Sequence, residues 1–240
     1  MSTDRKTIKL QLFLARAGIA SRRKSEVLIS SGEVFVNGQK ATIGQRVNPT
    51  VDAVTIKGKK ITTPQSHRYF LVNKPAGFVS TTADEKGRKT VLDLVPDTKE
   101  RLYPVGRLDK ESEGLMLLTN NGELAYKLTH PKFEIPKTYE VLITGFPTRK
   151  ALDHLARGVK LKEGFTKPAE VAVLQKTEEG TWLEITISEG RNHQIRRMTE
   201  RVGYETLKLV RTQMGPFDIG DLEEKVFLEL SEEQVALLFE

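Results

Sequence analysis

Asp109 lies in a charged stretch, Gly106-Arg107-Leu108-Asp109-Lys110-Glu111-Ser112-Glu113-Gly114, that runs into the apolar segment Leu115-Met116-Leu117-Leu118. Asn120-Asn121-Gly122 then turns the chain. An apolar run of this length reads as a buried strand. A glycine-flanked polar loop feeding such a strand can hold one carboxylate rigidly at a cleft. The chemistry open to that carboxylate is attack on an electrophilic carbon or proton transfer. From spacing alone, the same residues read more readily as a solvated surface turn.

Rival chemistries have little to work with. The chain contains no cysteine, so there is neither a disulfide nor a thiolate nucleophile. Gly87-Arg88-Lys89-Thr90 lacks the GK pair of a phosphate loop, no GxGxxG follows a strand, and no serine sits in a G-x-S-x-G elbow. The four histidines (67, 130, 154 and 193) are scattered without a cysteine beside them. No histidine-rich metal site is expected, while Mg²⁺ on carboxylates stays open. No cofactor is expected.

The elements that position the loop follow from periodicity. Tyr69 to Asn73 reads as a strand stopped by Pro75 and Gly77. Further strands are predicted at 138–144, 169–174, 182–188, around Leu207 and Leu209, and at 226–230. In the fourth of these six, Leu183, Ile185 and Ile187 alternate with polar neighbours. Helices are predicted at 123–129, 148–157, 193–202 and 232–239, the last opened by a Ser231–Gln234 capping box. Ile195, Met198 and Val202 form the inward face of the 193–202 helix. Strands outnumber helices and links are short, which predicts a mixed, mainly antiparallel sheet with flanking helices, an α+β fold.

The head of the chain differs. Leu10, Phe13, Leu14 and Ala17 mark a helix over 8–17 that ends at Gly18. Ser21 caps a second helix that runs to Ser31. Val34-Phe35-Val36, the turn Asn37-Gly38 and Gln39-Lys40-Ala41 read as a hairpin. Net charge is +6 overall, but residues 1–67 carry 12 Lys/Arg against 4 Asp/Glu, and residues 68–240 carry 26 against 28. A basic head on a near-neutral body points to a polyanion partner, although a solvated basic surface has the same composition. Arg22, Arg23 and Lys24 fall in the first turn of the second helix, where free backbone N–H groups also favour phosphate. The polar, Gly- and Pro-punctuated stretch 58–68 marks the joint. The expected domains are 1–62, a linker at 63–68, and 69–240. No run reaches the length of a membrane span, and the opening residues lack a signal-peptide core. A cytoplasmic protein is expected, with no membrane association.

Several long motifs in order carry a resemblance that covers nearly the whole chain. GRLDKESEGLMLLTNNGEL resembles the catalytic motif of the rRNA pseudouridine synthases of the RsuA, RluB and RluF type. Asn73-Lys74-Pro75-Ala76-Gly77, Lys137-Thr138-Tyr139 and Glu189 to Met198 follow in that family's order. Residues 1–62, with Ser-Arg-Arg opening the second helix and Val-Asn-Gly in the turn, are similar to an S4 RNA-binding domain. The resemblance implies a pseudouridine synthase fold and isomerisation of uridine to pseudouridine in ribosomal RNA. Asp109 would be the catalytic carboxylate, Arg196 its salt-bridge partner, and Tyr139 the residue that stacks on the base and takes part in removing its C5 proton. Uridine in folded RNA must be extruded before it can react. Arg107 would fill the vacated space and Ile185 would floor the pocket. Arg22, Arg23, Lys24, Asn37, Lys74, Arg191, His193 and Gln194 would contact RNA or anchor loops.

The expected partner is ribosomal RNA or a pre-ribosomal particle, met by a monomer. The Glu189–Gln194 segment and the S4 hairpin lean toward large-subunit RNA, whereas Lys167-Pro168-Ala169 resembles a small-subunit enzyme. Direct attack at C1′ and elimination to a glycal both stay open. A catalytically silent RNA-binding ribosome-assembly protein is the alternative, and a glycosylase using the same aspartate is a third reading.

Overall fold

The computed structural model describes residues 7–63, 66–222 and 226–239. Positions 64 and 65 of the expected linker lie outside the described residues. The chain forms two compact units: residues 1–67 with 98–101, and residues 68–97 with 102–240.

The first unit packs two helices on a small sheet. The helices are Leu10–Arg16 and Arg22–Ser30. Leu10, Phe13, Leu14 and Ile29 bury the facing sides of the helices against Val34, Val47 and Val54. Ser21 Oγ accepts a hydrogen bond from the Lys24 backbone N–H at 3.3 Å, as its N-cap position predicts. The hairpin pairs Phe35 with Lys40 and Val36 with Gln39. Its turn places Asn37 and Gly38 at φ 51° and 79°, the left-handed pair of a tight hairpin. A second hairpin, Val54–Ile56 with Lys59–Ile61, completes four strands. Lys59 to Ile61, read from sequence within the polar joint, is therefore an edge strand. Lysine on an exposed edge is the usual guard against further pairing, and it hides the strand from a hydrophobicity reading.

The second unit is built on a nine-stranded sheet, mixed but mainly antiparallel, with helices Gly122–Thr129, Arg149–Arg157, Gln194–Arg201 and Glu232–Leu237. Seven strands form the main path, in the order Glu170–Lys176, Thr181–Ile187, Lys137–Ile143, Thr206–Met214, Glu113–Thr119, Tyr69–Lys74 and Phe227–Leu230. Along this path, Thr206–Met214 pairs in parallel with Glu113–Thr119. Tyr69–Lys74 and Glu113–Thr119 are covered on both faces. Phe70, Val72, Met116 and Leu118 join one core, and Tyr69, Leu71, Leu115 and Leu117 join the other. That double burial is why both strands read as continuous apolar runs rather than alternating ones. Thr181–Ile187 alternates as expected: Leu183, Ile185 and Ile187 are buried while Glu184 faces solvent. Ser231 and Gln234 cap the last helix reciprocally. The α+β class and the mixed sheet predicted from sequence are what the chain adopts.

Candidate active site

The site is assembled from the sheet outward. On Lys137–Ile143, residues 137, 139, 141 and 143 share one face. Tyr139 pairs across the sheet with Ile185 on one side and Arg211 on the other. Arg211 reaches this row because a bulge between Thr138 and Tyr139 inserts Thr212 without a partner. On the far side Arg211 pairs with Gly114. Gly114 has φ 105°, and a Cβ there would lie 2.3 Å from the Arg211 carbonyl oxygen. Only glycine lets the end of the Asp109 loop close onto this strand.

The loop itself is latched by backbone contacts. Ser112 N–H donates to the Asp109 carbonyl at 3.1 Å, and Gly77 N–H donates to the Lys110 carbonyl at 2.8 Å. Ser80 bridges both backbone groups of Leu108: its hydroxyl donates to the carbonyl at 2.7 Å and accepts from the N–H at 3.1 Å. Lys74, expected to contact RNA or anchor a loop, is 0% exposed and does the second. Residues 70, 72 and 74 point to the same side of their strand, so Lys74 follows Phe70 and Val72 inward. Its ammonium donates to the carbonyls of Pro75 (3.1 Å), Lys110 (3.2 Å) and Ser112 (2.5 Å). Burial pushes its pKa down to about 8, against the pull of Glu111, Glu113 and Asp109 and with repulsion from Arg211 adding to the fall.

A cavity of about 410 Å³ opens beside the loop, within the roughly 300–1,000 Å³ usual for small-molecule sites. Asp109, Tyr139 and Lys137 line it together with the apolar side chains of Leu108, Ile187 and Leu209. Ile185, expected as the pocket floor, is fully buried in the core beside Tyr139, and Ile187 takes the lining position two residues on. Arg107 is exposed and lines the cavity next to Asp109. The expected Arg196–Asp109 salt bridge is absent. Arg196 Nη1 donates to the Thr206 carbonyl at 3.0 Å, which turns its guanidinium toward the neighbouring strand. His193 Nε2 stands 3.4 Å from Asp109 Oδ1 in its place. Arg196 still borders the outer cleft that Asp109, Arg107 and His193 share.

Arg191 and Gln194, expected to contact RNA or anchor loops, act as anchors, and Asn37 is committed to its own hairpin. Arg191 donates to the carbonyls of Gly164 and Phe165 and pairs with Glu189 at 3.2 Å. Gln194 is buried, donating to Glu189 at 2.7 Å and accepting from the Arg191 N–H at 2.9 Å. Both hold the 189–194 turn from inside. The Asn37 side chain donates to Asp52 and accepts from the Ala53 N–H, locking its own turn. Arg22, Arg23 and Lys24 are exposed on the first helical turn, as expected. Sequence reasoning missed Ser80 and Arg211. Ser80 carries no local signal, and the position of Arg211 depends on a bulge. Among the described residues, no group of three or more His, Asp or Glu could hold a metal ion, and no helix is long and apolar enough to cross a membrane.

Comparison with known proteins places the chain in a family. Residues 68–201 match the RNA pseudouridylate synthase family and residues 8–52 match the S4 domain. An uncharacterised RNA pseudouridine synthase of Aquifex aeolicus is 40% identical, covering 97% of this chain and 94% of its own. The ribosomal large subunit pseudouridine synthase B of Bacillus subtilis is 42% identical, covering 96% and 95%. A crystal structure of a pseudouridylate synthase superposes with a TM-score of 0.67 at 26% identity, covering 96% of this chain and 99% of that one. On these matches the chain belongs to the RNA pseudouridylate synthase family of isomerases and carries an S4 domain at its head.

Proposed function

We propose that this protein isomerises uridine to pseudouridine in ribosomal RNA, with large-subunit RNA the favoured substrate. Residues 1–62 form the RNA-binding part, 63–68 the joint, and 69–240 the catalytic part, acting in the cytoplasm. The observation that carries the reading is Asp109 on a latched loop, at the edge of an apolar-walled cavity that Tyr139 also lines.

The reaction breaks the N1–C1′ bond, turns the uracil and joins C5 to C1′. It consumes no redox equivalent and no water. Asp109 supplies an anionic oxygen to the sugar, either at C1′ or as the base of an elimination. His193 stands beside its carboxylate on the outer side, and Arg196 borders the same cleft. The Tyr139 ring offers a stacking face to the flipped base, and its hydroxyl suits transfer of the C5 proton. Arg107, exposed beside Asp109, fits the space that the extruded nucleotide leaves. The large-subunit preference is supported by the name of the Bacillus subtilis relative. The exposed Arg22, Arg23 and Lys24 suit phosphate contacts at the start of their helix.

The test is incubation with fragments of both ribosomal RNAs, followed by digestion and nucleoside analysis. Pseudouridine in the large-subunit fragment is the expected product. Tight binding without product would favour the assembly-protein reading, and free uracil would favour a glycosylase.

A further inference from the structure

Two cations of the cavity have no role in the reaction as proposed so far. Lys137 and Arg211 both line the cavity that holds Asp109 and Tyr139. Arg211 is 2% exposed; its Nε donates to the Leu115 carbonyl at 2.8 Å, and its Nη2 is buried with no hydrogen-bond partner. Lys137 donates to the Ile135 carbonyl at 2.9 Å. The carboxylates that line this cavity, Asp109 and Glu189, are faced by His193 and Arg191. Among the described residues, neither Lys137 nor Arg211 has a carboxylate at ion-pair distance. Burial, then repulsion from Arg211, holds the Lys137 ammonium below its ordinary range. Arg211 also depresses buried Lys74 behind the loop.

Desolvated positive charge without a counter-ion is costly in the resting protein, and the cost is relieved when an anion arrives. The proposed chemistry produces one. When N1–C1′ breaks, the bonding pair leaves with the uracil, by direct displacement or by elimination alike. The charge then spreads over N1, O2 and O4 until C5 attacks C1′.

Resting on the function proposed above, we propose that Lys137 and Arg211 form an anion subsite that stabilises the departing uracilate through its ring oxygens. Lys137 meets an oxygen directly. Arg211 stands in the sheet row beside Tyr139 and brings its unused Nη2 N–H to the same charge. The subsite acts only after bond cleavage begins, so it accelerates the step without tightening RNA binding.

The test compares RNA bearing uridine or 5-fluorouridine at the target position in single turnovers, following disappearance of the starting nucleoside. Fluorine at C5 stabilises the departing anion by itself. Lys137→Met should slow uridine cleavage by about tenfold or more and 5-fluorouridine cleavage far less, with RNA affinity unchanged. Lys137→Arg should recover much of the loss, and Arg211→Lys should show a weaker form of the same selectivity. Equal losses on both substrates, or normal rates in folded Lys137→Met, would overturn the subsite while leaving the parent function standing. Failure of the unsubstituted protein to convert either RNA would overturn the parent function and the subsite with it.

Discussion

Replacing Lys74 with Met tests how the Asp109 loop is held. The ammonium reaches three backbone carbonyls, of which the Lys110 oxygen also accepts from Gly77. Met fills similar volume and leaves the Pro75 and Ser112 carbonyls without that donor, at about 1–3 kcal/mol each when buried. Against this stands the cost of burying the charge. A pKa lowered from 10.5 to about 8 corresponds to roughly 3 kcal/mol, at 1.36 kcal/mol per tenfold. At pH 7 the two effects nearly cancel, so the variant should fold with stability within about 2 kcal/mol of the parent. The pH dependence separates them. The folded-state pKa lies below the unfolded one, so between about pH 8 and 10.5 the unfolded chain binds more protons, and stability rises with pH through that window. Urea unfolding at steps from pH 7 to 10.5 should show this gain in the parent relative to Lys74→Met, by up to about 3 kcal/mol. Single-turnover conversion at pH 7 should fall by about tenfold to a hundredfold as the loop loosens. Parallel stability curves for the two proteins, or unchanged conversion, would refute the latch.

Tyr139→Phe should preserve RNA affinity but slow turnover, whereas Tyr139→Leu should lose both, through a stack worth about 1–3 kcal/mol; affinity and single-turnover rates on one RNA fragment check the pair. Replacing Arg22, Arg23 and Lys24 together with Gln should weaken binding to all RNA sequences alike and flatten the plot of log affinity against log salt by about two units, at roughly 0.7–0.9 for each phosphate no longer neutralised.

Much of this architecture can be read from sequence because its causes are local. Ser21, Asn121 and Ser231 cap helices through side chains within three residues, so their positions mark the boundaries. The alternation of Leu183, Ile185 and Ile187 records one buried face. The loop from Gly106 to Gly114 is recognisable because its glycines answer a backbone demand, at φ 76° and 105°. The departures share another cause: a polar residue type suggests a surface role that long-range partners then cancel. Lys74, Arg191 and Asn37 spend donors on groups distant in sequence, the Ser112 and Gly164 carbonyls and the Asp52 carboxylate. For Lys74 the parity of Phe70 and Val72 does point inward, so its burial is legible in the strand pattern. Arg211 is out of reach, since its place beside Tyr139 depends on an unpaired Thr212 that no pattern announces. Arg196 sits on the expected helix, yet its fork is taken by the Thr206 carbonyl, a contact that only the packing of helix on sheet creates.

If the Asp109 carboxylate performs the chemistry, Asp109→Asn removes the reaction and little else. Asn keeps the size of the side chain and removes the charge. The backbone latches of the loop, through Ser112, Gly77 and Ser80, involve no carboxylate oxygen. The measurement is single-turnover formation of pseudouridine in a large-subunit RNA fragment, with circular dichroism and RNA binding as controls. The expected result is a folded protein that binds RNA normally and forms no detectable pseudouridine. Near-normal conversion by the folded variant would contradict it.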